Sequence, residues 1–338
     1  MKPAAGGRAK QAVAKRRALQ NRNLGPLYSG AMTFWFTLFF LVPVIIIISY
    51  SFLKRGTYGG VEMEFSLDAY RSLSDSVFLG ITLRTLYISV ITTIITILIA
   101  LPCGYYMARS RRQDILLLLI IIPFWTNFLI RVFAWMNILA SDGFVNATVL
   151  PVWNGFISAI FSGLSGIFGG SSFFSETLPQ LLLIDTPVQF LYNQGAVVLV
   201  LVYMYMPYAI LPLFASIDKF DFSLLEAARD LGASKMSAMV RILLPNIRGG
   251  ILTAVLFTFI PIFGAYAVPL LVGGRDSYML GNMIADQLLR ARNWPRAAAI
   301  SMVITVVTTV GVMFTMVVKK KDASGASRTK GAREGEAS

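Results

Sequence analysis

Six apolar stretches dominate the chain, at about Ala31–Leu53, Ile81–Ala108, Ile115–Leu139, Gln194–Phe214, Ile251–Val272 and Ala297–Val318. A helix rises about 1.5 Å per residue, so roughly twenty apolar residues cross a hydrocarbon core about 30 Å thick. The pattern predicts an all-α integral membrane protein with six transmembrane helices. A further apolar set, Phe156, Ile157, Ile160, Phe161, Leu164, Ile167 and Phe168, recurs at helical spacing inside the long connection from Asp142 to Asn193. A seventh crossing there would put the basic loop after span four on the opposite side from the basic N-terminus. An external amphipathic or re-entrant helix is therefore expected.

Charge placement orients the spans. The net charge is +13 over 338 residues, of which 56% are hydrophobic. Lys2, Arg8, Lys10, Lys15, Arg16, Arg17 and Arg22 precede span one, Arg109, Arg111 and Arg112 follow span two, and Lys319, Lys320 and Lys321 follow span six. The loop after span four carries Lys219, Arg229, Lys235 and Arg241, whereas Asp142 to Asn193 contains no lysine or arginine. Both termini and the 222–245 loop are thus expected in the cytoplasm, and the basic charge belongs to the lipid bilayer surface and not to nucleic acid. Span one, too long for a signal-peptide core, reads as a retained anchor. Residues 1–30 and 319–338 read as polar, disordered cytoplasmic tails around a membrane domain of residues 31–318.

Several chemistries drop out. The chain has no histidine, and its one cysteine, Cys103, lies in span two, so neither a metal centre nor an intrachain disulfide is expected. No Gly-x-x-x-x-Gly-Lys-Ser/Thr segment is present to cradle a nucleotide, so no cofactor is expected on this chain. Span interiors lack the carboxylates that ion-coupled carriers use, and no repeat of halves marks a secondary transporter. A passive channel or carrier remains an alternative.

The polar loop between spans four and five has its own design. Ser223-Leu224-Leu225-Glu226 fits a capping box that starts a short helix. Ala227 and Ala228 keep one face thin, Leu231 is expected to supply an apolar contact, and Gly232 suits a left-handed helix stop. Ser234 can cap a second helix, which Pro245 should interrupt. Such a bent pair suits insertion into a groove of a rigid partner.

The constellation Glu226-Ala227-Ala228, Gly232 and Ile242-x-Leu244-Pro245 resembles the EAA loop of binding-protein-dependent ABC importer permeases, which have the MetI-like architecture. Pro123 to Arg131, Leu225 to Ser234, and Gly281-Asn282 through Asn293-Trp294-Pro295 resemble the spermidine/putrescine permease subfamily, with the likeness running over about residues 30–318. The basic N-terminal tail and an insertion near residues 147–180 look longer than the family pattern. The resemblance implies a non-catalytic permease subunit of the bacterial cytoplasmic (inner) membrane. It implies ATPase coupling through Glu226, Ala227, Ala228, Asp230, Gly232, Ile242, Leu244 and Pro245. It further implies a cytoplasmic ABC ATPase dimer that carries the ATP and magnesium, a second homologous permease, and an external solute-binding protein.

For a polyamine, aromatic faces offer cation-π attraction of about 0.5 to 2 kcal/mol each. Trp125, Trp135, Tyr203, Tyr205, Tyr208 and Tyr266 are the candidates, with Asp142 and Asp286 as anionic attractors near the outer face. Arg131 fits a polycation path poorly and is expected to snorkel or pair with a carboxylate, as is Arg84. Pro43, Pro102, Pro123 and Pro207 mark positions where spans can kink. A coupling loop does not specify cargo, so opine, ferric ion and thiamine types stay open.

Overall fold

The computed structural model describes residues 25–167 and 187–313. The tails and part of the insertion near residues 147–180 lie outside the described residues. Among the described residues, five helices are long and apolar enough to cross a membrane, or six if a bent pair counts as one span. They are Met32–Ser51, Ser76–Arg109, Phe128–Phe161, Gln194–Ile217 and Trp294–Met313, with Lys235–Asn246 plus Arg248–Phe263 as the bent pair.

Spans two, four and five form the centre. Ala100, Met107, Ala209, Ile210, Leu213 and Ala254 bury against one another at their crossing. Small residues permit this closeness: Gly104 lies against the backbone of Phe214, and Gly250 lies against Ser216. A second core, with Ile88, Val132, Val200, Met204, Ile262 and Val268, joins spans two to five toward the end away from the 222–245 loop. Span one stands apart, with 0% of its apolar window buried within the chain. Its surface must therefore meet lipid or another subunit.

Two spans are broken rather than continuous. In span three, helix Gln113–Ile121 tightens into a 3-10 turn over Ile122–Trp125, stops, and restarts as Phe128–Leu139. Thr126 Oγ1 donates to the Pro123 carbonyl at 2.6 Å, and Asn127 Oδ1 accepts from the Leu129 amide at 2.8 Å, so the stop and the new cap are adjacent. The chain then turns tightly and continues as Phe144–Ile167. A helix thus occupies the apolar stretch of the insertion as far as Ile167, its first part belonging to the candidate span Phe128–Phe161, while Phe168 lies outside the described residues. The helix start is held by buried Asn146, whose Nδ2 donates to the carbonyls of Ala140 at 3.1 Å and Val188 at 2.9 Å.

Span five breaks after Phe263 and resumes at Ala267–Val272. Gly281 packs against the backbone of buried Ala265, where a side chain would collide with the carbonyl oxygen. Asn282, only 3% exposed, donates from Nδ2 to the Tyr266 carbonyl at 3.1 Å and accepts at Oδ1 from the Met279 amide at 3.2 Å. Breaking a span frees backbone groups that lipid cannot satisfy, and here a neighbouring segment satisfies them. Thr85 serves the same purpose from span two, accepting from the Leu280 amide at 3.0 Å.

The helical reading needs one addition. Between spans one and two, Leu53–Arg55 (β1) and Val61–Phe65 (β2) pair as an antiparallel hairpin, with Lys54 opposite Glu62. The Gly60 amide donates to the Arg292 carbonyl at 2.8 Å, which ties the hairpin to the start of span six.

Candidate functional site

The 222–245 segment folds as helix, glycine turn, helix at one end of the 34-residue span two. The first helix covers Ser223–Asp230, one residue earlier than the capping box implied. Ser223 is already inside the helix. Asp221 caps instead, with Oδ1 accepting from the Ser223 amide at 3.0 Å. That hydrogen bond holds the Asp221 carboxyl below its ordinary range, through the Ser223 side chain first and its amide second.

Gly232 ends the helix as expected, with φ +87°. The Ala233 amide returns to the Ala228 carbonyl at 3.0 Å and the Gly232 amide to the Arg229 carbonyl at 2.9 Å, the paired closure of a Schellman turn. Ser234 then caps the second helix, its Oγ accepting from the Ser237 amide at 3.2 Å. Pro245 does not interrupt that helix. A π-helical turn over Met239–Leu243 absorbs an extra residue, so helical structure continues to Asn246 and bends by 74° into span five at Ile247.

The loop has an inner and an outer face. Leu225, Ala238, Leu243 and Ile247 bury against Ala108 of span two and Ile217 of span four, with Ala228, Ile242 and Leu244 half-buried beside them. Glu226, Ala227, Asp230, Gly232 and Pro245 face outward. Leu231 is 90% exposed, so it makes no apolar contact within the chain, and Met236 and Val240 are exposed with it. A surface hollow of about 560 Å³ is lined by Glu226, Arg229, Asp230, Gly232, Ser234 and Lys235. The Arg109 guanidinium lies 5.3 Å over the Phe222 ring, and Tyr105 meets the same ring edge-on at 6.1 Å, fixing the loop to span two. Sequence reading missed Asp221, Phe222 and Arg109 as parts of this mounting. An acid two residues before a helical serine was the available signal for Asp221.

The aromatic candidates gather only in part. Trp135 meets Tyr203 edge-on at 5.3 Å, Tyr205 meets Tyr208 at 5.7 Å, and Phe124 meets Tyr208 at 5.1 Å, all along the seam of spans three and four. Phe124 was not anticipated. Trp125 is 78% exposed at the span-three break, and Tyr266 stands at the span-five break. Asp142 sits on the exposed turn after Leu139. Asp286 is already engaged, accepting from the Tyr278 hydroxyl at 2.7 Å and pairing with Arg290 at 3.3 Å. Burial and this carboxylate push the Tyr278 phenol well above its ordinary value.

Neither arginine pairs with a carboxylate among the described residues. Arg84 donates to the Arg275 carbonyl at 3.1 Å. Arg131 lies over the Phe124 ring, and its Nε is buried without a hydrogen-bond partner. Among the described residues there is no cluster of three or more residues able to hold a metal ion.

Residues 96–322 match the family described as "Binding-protein-dependent transport system inner membrane component". The chain is 35% identical over 275 residues to the spermidine/putrescine transport system permease protein PotB of Salmonella typhimurium, covering 81% of this chain and 86% of that protein. It is 34% identical to PotB of Escherichia coli K12, covering 81% and 90%. It is also 28% identical to the inner membrane ABC transporter permease protein YdcU of the same strain, covering 83% of each. In fold it resembles a bacterial ABC transporter involved in alginate import, with TM-score 0.64, 16% identity, and coverage of 90% of this chain and 99% of that one. A crystal structure of a bacterial alginate ABC transporter with its periplasmic protein bound to alginate pentasaccharide also matches, with TM-score 0.61, 16% identity, and coverage of 87% and 93%. The chain belongs to the binding-protein-dependent transport system inner membrane component family and is a multi-pass permease of an ABC importer.

Proposed function

We propose that this permease moves polyamines of the spermidine and putrescine class, delivered by an external binding protein. Two copies of a cytoplasmic ATP-binding subunit, carrying ATP and magnesium, drive it, and a second homologous permease completes the pathway. Support for the cargo comes from the PotB relatives and from the aromatic seam of spans three and four, whose ring faces attract ammonium groups without trapping them. The observation that carries the coupling is the outer face of the loop. Glu226, Ala227 and Gly232 are exposed while the inner face is fixed to spans two and four. A partner seated on that face acts on the spans through the shared core. ATP-driven closure then shifts the balance between inward-open and outward-open arrangements.

Arg131 favours a second reading. A half-buried guanidinium whose Nε has no acceptor suits a solute that carries a carboxylate beside its amine, the opine type. Co-purification in mild detergent tests the assembly: an ATPase and a sister permease are expected to elute with the chain. Uptake of labelled spermidine into vesicles holding the full complex tests the cargo. Competition by unlabelled putrescine but not by an amino-carboxylate supports the polyamine reading, and the reverse pattern, or no polyamine uptake, overturns it.

A further inference from the structure

At the end of span two far from the coupling loop, a second group of cations gathers. Lys54, Arg55, Arg71, Arg292 and Arg296 stand among three carboxylates, Glu62, Glu64 and Asp68, around the hairpin and the start of span six. The orientation rule that accounts for the basic loop at one end gives no reason for basic residues at the other. Their positions suggest one.

A cavity of about 350 Å³ opens here, with Lys54, Arg55, Asp68, Ser72, Asn293 and Arg296 in its lining. Lys54 is occupied by Glu64 at 2.7 Å and Glu62 at 3.8 Å. Arg55 spends Nη2 on the Ala291 carbonyl at 2.8 Å. Asp68 pairs with Arg71 at 3.8 Å. Arg296 is the least satisfied. Its Nη2 reaches the Ser72 carbonyl only at 3.5 Å, and its Nε is buried with no hydrogen-bond partner. A guanidinium in that position lacks an acceptor, and a group with several anionic oxygens matches its fork of donors.

The surroundings narrow the class of ligand. Tyr50 and Trp294, with ring centroids 6.1 Å apart, join the ends of spans one and six beside the cavity. Paired Tyr and Trp rings mark the headgroup level of a bilayer. On the membrane side of that pair, Ile45, Ile46 and Ile47 of span one, within five residues of Tyr50, are exposed, whereas Ala297 to Ile300 of span six are buried. An apolar surface therefore leads directly to an unsatisfied cation. We propose that this cavity holds the phosphate of an anionic phospholipid, with Arg296 and Arg55 donating to it and the acyl chains lying along the exposed face of span one. Asp68, on the cavity wall, opposes the phosphate and limits its affinity.

Native mass spectrometry of the full-length chain in its purified assembly tests this, after delipidation and addition of either phosphatidylglycerol or phosphatidylcholine with identical acyl chains. Phosphatidylglycerol is expected to stay bound and phosphatidylcholine to dissociate. Arg296→Gln should weaken retention by roughly tenfold, the loss of about one charged hydrogen bond. Arg241→Gln, at the opposite end, should leave retention unchanged. Asp68→Asn should raise it by about threefold through relief of repulsion, and this gain does not depend on how well the Arg296 variant folds. Equal retention of the two lipids, or an unchanged or weaker hold in Asp68→Asn, overturns the proposal. Displacement of the lipid by millimolar inorganic phosphate alone would also overturn it and assign the cavity to free phosphate.

Discussion

Arg131 and Phe124 face each other across the break in span three, with the guanidinium carbon 5.7 Å from the ring centroid. This fixed cation stands beside the aromatic seam formed by Tyr205 and Tyr208. At an effective dielectric near 20, two unit charges about 8 Å apart repel by about 2 kcal/mol. An ammonium group resting on the seam therefore meets opposition while Arg131 keeps this position. Arg131→Gln is expected to raise ATP-independent leak of labelled putrescine from complex-bearing vesicles by up to about thirtyfold, with no change in leak of a neutral solute of similar size. A loss of all transport with normal assembly would instead favour the amino-carboxylate reading.

Gly232 carries a φ of +87°, and an added side chain would meet no atom within 4 Å. Strain alone decides what is tolerated there, at about 1–3 kcal/mol for a residue with a β-carbon. Transport should fall in the order Gly, Asn, Ala, Val, because asparagine enters the left-handed region most readily. Membrane insertion should be unaffected. ATP-dependent uptake by the Gly232→Val complex at the level of the parent would refute the coupling assignment.

Asn282 accepts from the buried Met279 amide and donates to the Tyr266 carbonyl, which also accepts from the Leu270 amide, so Asn282→Ala leaves the Met279 amide buried without a partner and costs the Tyr266 carbonyl one of its two donors. The expected destabilisation is about 2 kcal/mol or more, read as a lower thermal midpoint in detergent. Gly281→Ala should act on the same joint by pushing its side chain into the Ala265 carbonyl. The two substitutions are neighbours and should combine non-additively.

Asp221 titrates below its ordinary value because its anion accepts from Ser223. A carboxyl depressed on folding stabilises above its unfolded value, near 3.9, and that contribution is lost as pH falls through the folded value. Hydrogen exchange of the first loop helix should therefore be independent of pH between about 5 and 8 once intrinsic rates are removed, and protection should drop only below about 4. Asp221→Ala should remove protection across the whole range.

The helices were legible because lipid leaves few options: long apolar runs must be helical, and their positions follow directly. Gly232 and Ser234 were legible because left-handed turns and caps belong to particular residue types. What stayed hidden depends on partners distant in sequence. The break at Gly264 depends on Asn282, which donates to the Tyr266 carbonyl, and on Gly281, which lets that segment come close; the break at Thr126 is closed locally by Thr126 and Asn127, but apolar periodicity runs through both unchanged. The hairpin is short and three of its residues, Gly56, Gly59 and Gly60, are glycines, and the Gly60 amide is held by the distant Arg292 carbonyl. Pro245 read as a stop because the compensating π-helical turn leaves no residue signature.

The corner at Ile247 fixes how a push would travel. Ile247 is 1% exposed, and the segments on either side meet at 74°. A displacement along Lys235–Asn246 projects onto the axis of span five only by the cosine of 74°, about 0.28. The remainder acts sideways, so the joint behaves as a bell crank that would turn a thrust along Lys235–Asn246 into a lateral swing of span five.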